Sequence, residues 1–243
     1  MLILASQSPR RKQLLELCGW KFSILFVDIN ESVNVGETPG IYVGRMAEGK
    51  AYAAYTKVLE RASPEDLIIG ADTAVVDWQT SVKGFQQDNA GDLLNETIGG
   101  SYRIFGKPGD SFEARKMLRE LRGRTHQVYS AVTVLQAKDG RSITDVCITD
   151  VPMREYSDDE ISTYTASGDP LDKAGAYAIQ HSGFNPVYNL QGCYANVMGL
   201  PLCHLTRMLM RFGLVPGPDV PSACQQSLRY TCSVFDDILL SEW

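Results

Sequence analysis

Two hydroxyls and two guanidiniums lie within six positions near the start of the chain. In order they are Ser6, Ser8, Arg10 and Arg11, with Pro9 in the middle. They follow a short apolar run, which indicates a strand, a tight turn and then a helix start. The backbone N–H groups of a helix start, hydroxyls and guanidiniums all bind anions, and phosphate suits them best. The alternative is a capped helix whose arginines are solvated.

A single aspartate interrupts an apolar run farther along the chain. Residues 67–76 are typical of a buried strand, and Asp72 lies near its centre. A buried carboxylate is costly unless it is paired, hydrogen-bonded or bound to a cation. Asp72 is therefore a candidate for a functional site. The alternative is a carboxylate that only caps a strand end.

Two more charged segments stand beside predicted elements. Glu31 ends the acidic segment 28–31, which follows a predicted strand over 21–27. Ligands bind at strand ends in α/β folds, although a solvated turn would look the same. Asp172 and Lys173 precede small residues that let a backbone or ligand come close. The alternative for this second segment is a surface ion pair.

The elements that must position these residues alternate between strands and helices. Apolar spacing and capping residues predict helices over 38–59, 110–121, 157–168 and 201–212. Alternating residues predict a hairpin with strands over 125–136 and 142–152, joined at Asp139-Gly140. This order predicts an α/β protein with a twisted mixed sheet flanked by helices.

Composition narrows the class of protein. The chain has 243 residues, of which 44% are hydrophobic and 21% charged, as in ordinary globular proteins. It has no apolar stretch of the roughly 18 to 20 residues that a membrane span needs, and no basic segment precedes the apolar start. We therefore expect a cytoplasmic protein without a membrane partner. A net charge of −6 argues against a nucleic-acid partner.

Cysteines and histidines show no metal-ligand spacing. The six cysteines are scattered without a C-x-x-C pair, so we expect free thiols. The histidines His126, His181 and His204 are likewise expected to be structural.

Two segments depart from the alternating pattern. Residues 79–103 are polar and rich in turn formers, and we interpret them as a surface insertion of roughly 15 to 20 residues. The alternative is a lid beside the site. Residues 213–243 form a C-terminal extension after the helix at 201–212, with apolar residues that suit docking on the body or on a partner.

The chain resembles the Maf family of nucleoside triphosphate pyrophosphatases. After Ser-x-Ser-Pro-Arg-Arg at 6–11, six blocks follow in the family's order: DINE at 28–31, IGADT at 69–73, GKP at 106–108, GRTH at 123–126, DKAGAY at 172–177 and NVMGLP at 196–201. Six ordered blocks are far more specific than any one of them. The resemblance implies one domain over 1–212, with two lobes around a nucleotide cleft, and commonly a homodimer.

The resemblance also implies roles for the charged residues. Asp72 would be the general base or a metal ligand, with Glu31 and Asp172 as further ligands of Mg²⁺ or Mn²⁺. The phosphate-binding residues would be Ser6, Ser8, Arg11, Lys50, Lys107 and Lys173. The family usually has Arg-Glu-Lys at the position of Lys50, whereas this chain has Glu48-Gly49-Lys50.

Base preference follows from the most similar subgroup, the dTTP/UTP pyrophosphatases. In that subgroup pyrimidine preference is set by residues that correspond to Arg10, Thr73 and Gln180, although His181 stands where glycine is usual. The implied reaction converts dTTP or UTP to the monophosphate and pyrophosphate. One alternative is a nucleotide-binding regulator of septum formation that has lost catalysis. Another is a pyrophosphatase for purine or modified nucleotides.

Overall fold

Helices and strands alternate along the chain, as the apolar spacing predicts. The computed structural model describes residues 1–79, 95–97 and 100–241. The strands are β1 (Leu2–Leu4), β2 (Phe22–Ile24), β3 (Leu67–Gln79), β4 (Asn95–Thr97), β5 (Gly100–Phe105), β6 (Thr125–Gln136) and β7 (Ser142–Pro152). The helices are α1 (Pro9–Glu16), α2 (Pro39–Val58), α3 (Ser111–Leu121), α4 (Asp158–Ala166), α5 (Tyr194–Met198), α6 (Leu202–Arg211), α7 (Val220–Leu228) and α8 (Phe235–Leu240).

The strands form one mixed sheet of seven strands, so the predicted α/β fold is confirmed. The long strand β3 pairs in parallel with β1 through residues 67–69, and in antiparallel with β5 through 75–79. On its other side β3 pairs with β6 through 67–76. In these ladders, residues 70–74 of β3 therefore have a neighbour on one side only. The resulting gap, between the end of β1 and the end of β5, holds Asp72 and Thr73.

Short-range signals explain where the helices begin. The Ser8 hydroxyl accepts the backbone N–H of Arg11 at 3.4 Å and Pro9 opens α1. Thr38 caps α2 and Asp110 caps α3 in the same way. Ser157 forms the predicted capping box with the third residue of α4. These caps satisfy backbone N–H groups that have no partner within the helix.

Helix α2 packs directly on the central strand because Gly70 has no side chain. A Cβ atom at Gly70 would lie 2.1 Å from the carbonyl oxygen of Ala47 and 2.8 Å from the backbone nitrogen of Ala51. Both distances are far below van der Waals contact. Gly70 thus permits the close approach that lets Lys50 of α2 reach Asp72 of β3.

Two predicted segments differ from the structure. The strand predicted over 21–27 ends at Ile24, and the chain then runs as a loop to α2. Within the predicted insertion 79–103, residues 95–97 form β4 and residues 100–103 belong to β5, of which 101–103 pair with β3, so these parts are sheet. Residues 80–94 and 98–99 lie outside the described residues, so the loop and lid interpretations remain predictions.

The C-terminal extension contacts the body of the protein. The indole Nε1 of Trp20 donates to the carbonyl oxygen of Val215 at 3.1 Å, and Val220 of α7 is buried in the main core. Helices α7 and α8 both pack on α6. Among the described residues, no helix combines the length and the apolar character that crossing a membrane requires.

The six cysteines are free thiols. Among the histidines, His126 is buried and neutral. Its side chain hydrogen-bonds with the hydroxyl of Tyr177, and burial lowers its pKa from 6.5 to about 3. As the pH falls below 6.5, the unfolded chain takes up a proton on the His126 ring and the folded protein does not, so the free energy of unfolding decreases. From pH 7 to pH 5 we expect His126 to remove about 2 kcal/mol from the free energy of unfolding.

Urea unfolding of the wild type and of His126→Gln at pH 7 and pH 5 measures this effect. The wild type should lose about 2 kcal/mol more than the variant over this interval, because only the wild type carries the titrating ring. Equal losses in both proteins would show that His126 does not control acid stability.

Candidate active site

The turn after β1 brings the first predicted residues together. The chain leaves the sheet after Leu4, and the Ser6 hydroxyl accepts the backbone N–H of Ser8 at 3.2 Å. The same hydroxyl accepts from Nη1 of Arg11 at 3.3 Å. The side chains of this turn are therefore joined before any ligand is considered.

Arg11 links three distant parts of the chain. Besides Ser6, its guanidinium donates through Nε to the carbonyl oxygen of Gly199 at 2.8 Å and through Nη2 to the hydroxyl of Thr73 at 3.0 Å. Burial lowers the pKa of Arg11, and the nearby charge of Asp72 opposes this. Arginine nevertheless stays charged in proteins. The alternative of a solvated arginine is thus wrong for Arg11, which contributes a fixed positive charge.

Thr73 lies inside the same network. Its hydroxyl is 2.9 Å from that of Ser130 and 3.5 Å from the carbonyl oxygen of Gly199. The Ser130 hydroxyl also donates to the carbonyl oxygen of Asn196 at 2.9 Å. Sequence reasoning missed Ser130, because an alternating strand gives no local sign that one serine faces a site.

Lys50 bridges the two carboxylates predicted around the reaction centre. Its Nζ lies 2.7 Å from Oδ1 of Asp72 and 2.7 Å from Oε1 of Glu31. The side chains of Lys50 and Asp72 are 13% and 11% exposed, whereas that of Glu31 is 56% exposed. Burial alone would raise the pKa of Glu31, but the ammonium groups of Lys50 and Lys107 and the guanidinium of Arg11 lower it overall. Glu31 is therefore ionised at neutral pH.

The loop that carries Glu31 is fastened to α2. The hydroxyl of Tyr42 donates to the carbonyl oxygen of Glu31 at 3.0 Å. The guanidinium of Arg45 binds both oxygens of the buried Glu37 carboxylate at 2.6 Å, and donates to the carbonyl oxygen of Ser32 at 2.8 Å. Sequence reasoning missed Arg45 and Glu37, whose spacing of eight residues matches no helical pair.

A second charged group forms around the segment 172–177. Lys173 is buried, and its Nζ lies 2.6 Å from Oδ1 of Asp172 and 3.1 Å from Oδ1 of Asp169. Nη1 of Arg10 lies 4.0 Å from Oδ2 of Asp172. Residues 172 and 173 do form an ion pair, but it is not the surface pair of the alternative interpretation, because Lys173 is buried.

Lys107 follows the end of β5, and its segment is linked to both charged groups. The backbone N–H of Gly175 donates to the carbonyl oxygen of Gly106 at 3.1 Å, which joins the Gly-Lys-Pro segment to the segment 172–177. The charge of Lys107 also acts on Glu31. The structure therefore unites the lysines of three distant segments around the gap in the sheet.

The carboxylates fit a divalent cation in part. Glu31 and Asp72 lie within reach of one ammonium group, while Asp172 instead contacts Lys173 and Arg10. In the described part of the chain, no group of three or more His, Cys, Asp and Glu side chains is arranged to hold a metal ion. Two carboxylates do match the mode in which Mg²⁺ uses one or two protein ligands and completes its shell with phosphates and water.

Gln180 is exposed in the turn that follows Ile179. In the next residue, His181, Nδ1 accepts the backbone N–H of Phe184 at 2.9 Å, and the ring packs edge-on against Tyr164. His181 therefore has the structural role expected of it. His204, which binds Asp145 at 2.7 Å, is also part of a side-chain pair.

Comparisons with known proteins agree on one family. The family model described as Maf-like protein matches residues 1–212. A protein of Acetivibrio thermocellus named dTTP/UTP pyrophosphatase is 39% identical over 215 residues, which are 88% of this chain and 96% of that protein. Proteins of the same name from Pseudoalteromonas atlantica and Anaeromyxobacter dehalogenans are 39% and 41% identical, over 88% and 87% of this chain and 98% and 94% of their own lengths. The chain therefore belongs to the Maf family.

Proposed function

We propose that this protein hydrolyses nucleoside triphosphates, with dTTP and UTP preferred, to the monophosphate and pyrophosphate. The observation that carries this proposal is the buried carboxylate of Asp72 beside the ammonium of Lys50, in a gap of the sheet where Arg11 binds the neighbouring Thr73. The names of the three relatives support the same reaction.

In this reaction a water oxygen attacks the α-phosphorus, and the bond from that phosphorus to the bridging oxygen breaks. Lys50 donates to Oδ1 of Asp72, and we assign the proton of the attacking water to Oδ2. The bridging oxygen takes the electron pair of the broken bond, and pyrophosphate departs. Asp72 thus serves as general base, and its place in β3 together with the hydrogen bond from Lys50 of α2 keeps its carboxylate oriented.

The surrounding cations stabilise the charge on the phosphates. Developing negative charge is best met by positive groups that are already in place, because the protein then need not reorganise during the reaction. We assign this role to Arg10, Arg11, Lys50, Lys107 and Lys173, with the hydroxyls of Ser6 and Ser8 and the backbone at the start of α1 as further donors.

We also propose a divalent cation, Mg²⁺ or Mn²⁺, held by Glu31 and Asp72 together with the substrate phosphates. When bound, such a cation neutralises phosphate charge and withdraws electrons from the reacting phosphorus. Asp172 is better suited to holding Lys173 and Arg10 in position than to joining the other two carboxylates.

Base choice is assigned to Arg10, Thr73 and Gln180. The amide of Gln180 offers one donor and one acceptor, which match O4 and N3–H of uracil or thymine. Cytosine has the reverse pattern, with an N4 amine and an N3 lone pair at these positions. Binding CTP would leave polar groups of the site unpaired, which lowers its specificity constant. We expect specificity constants for dTTP and UTP at least about tenfold above those for CTP, ATP and GTP.

Pyrophosphate release from purified protein across these five nucleotides, with Mg²⁺ and with Mn²⁺, tests the proposal. Gln180→Glu should reduce the preference for dTTP and UTP, because a carboxylate cannot donate to O4. Gln13→Glu is the control, since it makes the same exchange at an exposed position of α1. Equal specificity constants in the wild type would refute the pyrimidine assignment. No release from any nucleotide would refute the enzyme assignment and favour a binding protein.

A further inference from the structure

The C-terminal extension has no counterpart in the matched part of the family. The family model ends at residue 212, and relatives that align over 96% and 98% of their own lengths cover only 88% of this chain. In the structure the extension is packed on the body, where it forms several specific contacts. One of these contacts is made to a segment that also reaches the proposed phosphate site.

Tyr230 of the extension holds the loop that precedes α5. Its hydroxyl lies 3.1 Å from the carbonyl oxygen of Leu190 and 3.0 Å from that of Gly192. Its ring centroid is 5.4 Å from that of Tyr194, the first residue of α5. Residues of both segments also line a small apolar cavity, among them Cys193, Ala195, Leu228 and Tyr230. The extension therefore covers one side of α5.

The other end of α5 reaches the proposed phosphate site. The helix ends at Met198, and its C-cap Gly199 has a φ of 106°. The carbonyl oxygen of Gly199 accepts from Nε of Arg11. A side chain at this φ would be strained, and a Cβ there would lie 3.1 Å from the hydroxyl of Thr73. The carbonyl oxygen of Gly199, just after the end of α5, therefore contacts both the guanidinium of Arg11 and the hydroxyl of Thr73.

A helix as short as α5 has little stability of its own. It has five residues, well below the length at which an isolated helix becomes stable, so its position depends on its neighbours. On the sheet side, Nδ2 of Asn196 donates to the carbonyl oxygen of Val128 at 3.0 Å and to the hydroxyl of Thr149 at 2.9 Å. Helix α1 also contacts α5, and the extension contacts its first residue through the ring of Tyr230.

We propose that Tyr230 is a positioning residue for this site. By holding the loop 190–192 it keeps α5 in place, and the carbonyl oxygen of Gly199 then keeps the guanidinium of Arg11 aimed at the phosphates. This inference rests on the proposed function. The competing view is that the bonds of Asn196 hold α5 without help from the extension.

The kinetics of Tyr230→Phe test this proposal, because the variant keeps the ring and removes only the hydroxyl. Trp20→Phe is the matched control, since it removes another hydrogen bond between body and extension, to Val215, that does not involve the loop before α5. We expect kcat for UTP to fall about three- to tenfold in Tyr230→Phe, as for the loss of one hydrogen bond, with KM nearly constant. Trp20→Phe should keep the wild-type kcat.

A double-mutant cycle separates positioning from a general loss of stability. If Tyr230 acts through Arg11, Tyr230→Phe should have little further effect in the Arg11→Lys background and its full effect in the Lys107→Arg background. The same fold loss in both backgrounds, or no loss in the single variant, would overturn the proposal.

Amide hydrogen exchange over 190–199, measured without nucleotide, provides a readout that does not depend on activity. Faster exchange in Tyr230→Phe than in Trp20→Phe supports the positioning role of Tyr230. This holds even if the wild type releases no pyrophosphate from any nucleotide, because that result would refute only the proposed function. Equal exchange in the two variants overturns the proposal.

Discussion

Asp72→Asn is expected to lower kcat about 10² to 10⁴-fold, the range that a general base contributes. An amide cannot accept the proton of the attacking water, and it is a poorer ligand for a hard cation. The fold should survive, because the amide oxygen of asparagine still accepts the hydrogen bond from Lys50. Pyrophosphate release and thermal unfolding of the same preparation measure the two effects separately.

Asp77→Asn is the matched control for this variant. Asp77 is also a buried aspartate of β3, and its partner is Arg124 at 2.8 Å. Burial raises the pKa of Asp77 despite the charge of Arg124. Because burial disfavours the ionised form of Asp77, the neutral amide of Asp77→Asn should fold, and kcat should stay within a few-fold of the wild type. A folded Asp72→Asn protein with normal turnover would remove Asp72 from the mechanism.

Lys50→Met is expected to lower kcat/KM by about 10² to 10³-fold, as for the loss of one preorganised group at a charged transition state. The variant removes a phosphate-binding charge and leaves Glu31 and Asp72 close together without the ammonium that joins them. Because Lys50 lowers the pKa of Glu31, that pKa should rise in the variant. As the pH is lowered, the residual activity of Lys50→Met should therefore disappear at a higher pH than the activity of the wild type does.

The pH dependence of kcat/KM for the wild type and Lys50→Met checks this expectation. Lys57→Met is the control, because Lys57 lies on the same helix and its Nζ binds only the exposed carbonyl oxygen of Phe26 among the contacts described for it. The control should keep both the activity and the acid limb of the profile. An unchanged acid limb in Lys50→Met would show that Glu31 does not limit activity at low pH.

Most of the local structure can be read from the order of residues alone. Helices α2, α3, α4 and α6 and strands β6 and β7 lie within two residues of the predicted bounds. Capping by Ser8 and Ser157, and periodic burial, depend on residues within about four positions of each other, so a single sequence contains them. The buried carboxylate of Asp72 could also be recognised, because its cost follows from its apolar neighbours alone.

Which charged groups meet depends instead on how the elements pack in three dimensions. Lys50 contacts Asp72 because Gly70 lets α2 approach β3, and Arg11 reaches Gly199 across 188 positions of sequence. Asp172, predicted beside Glu31 and Asp72, contacts Lys173 and Arg10 instead. Such partnerships depend on how elements pack and on which hydrogen bonds compete in the folded protein, and no local pattern of residue types contains that information.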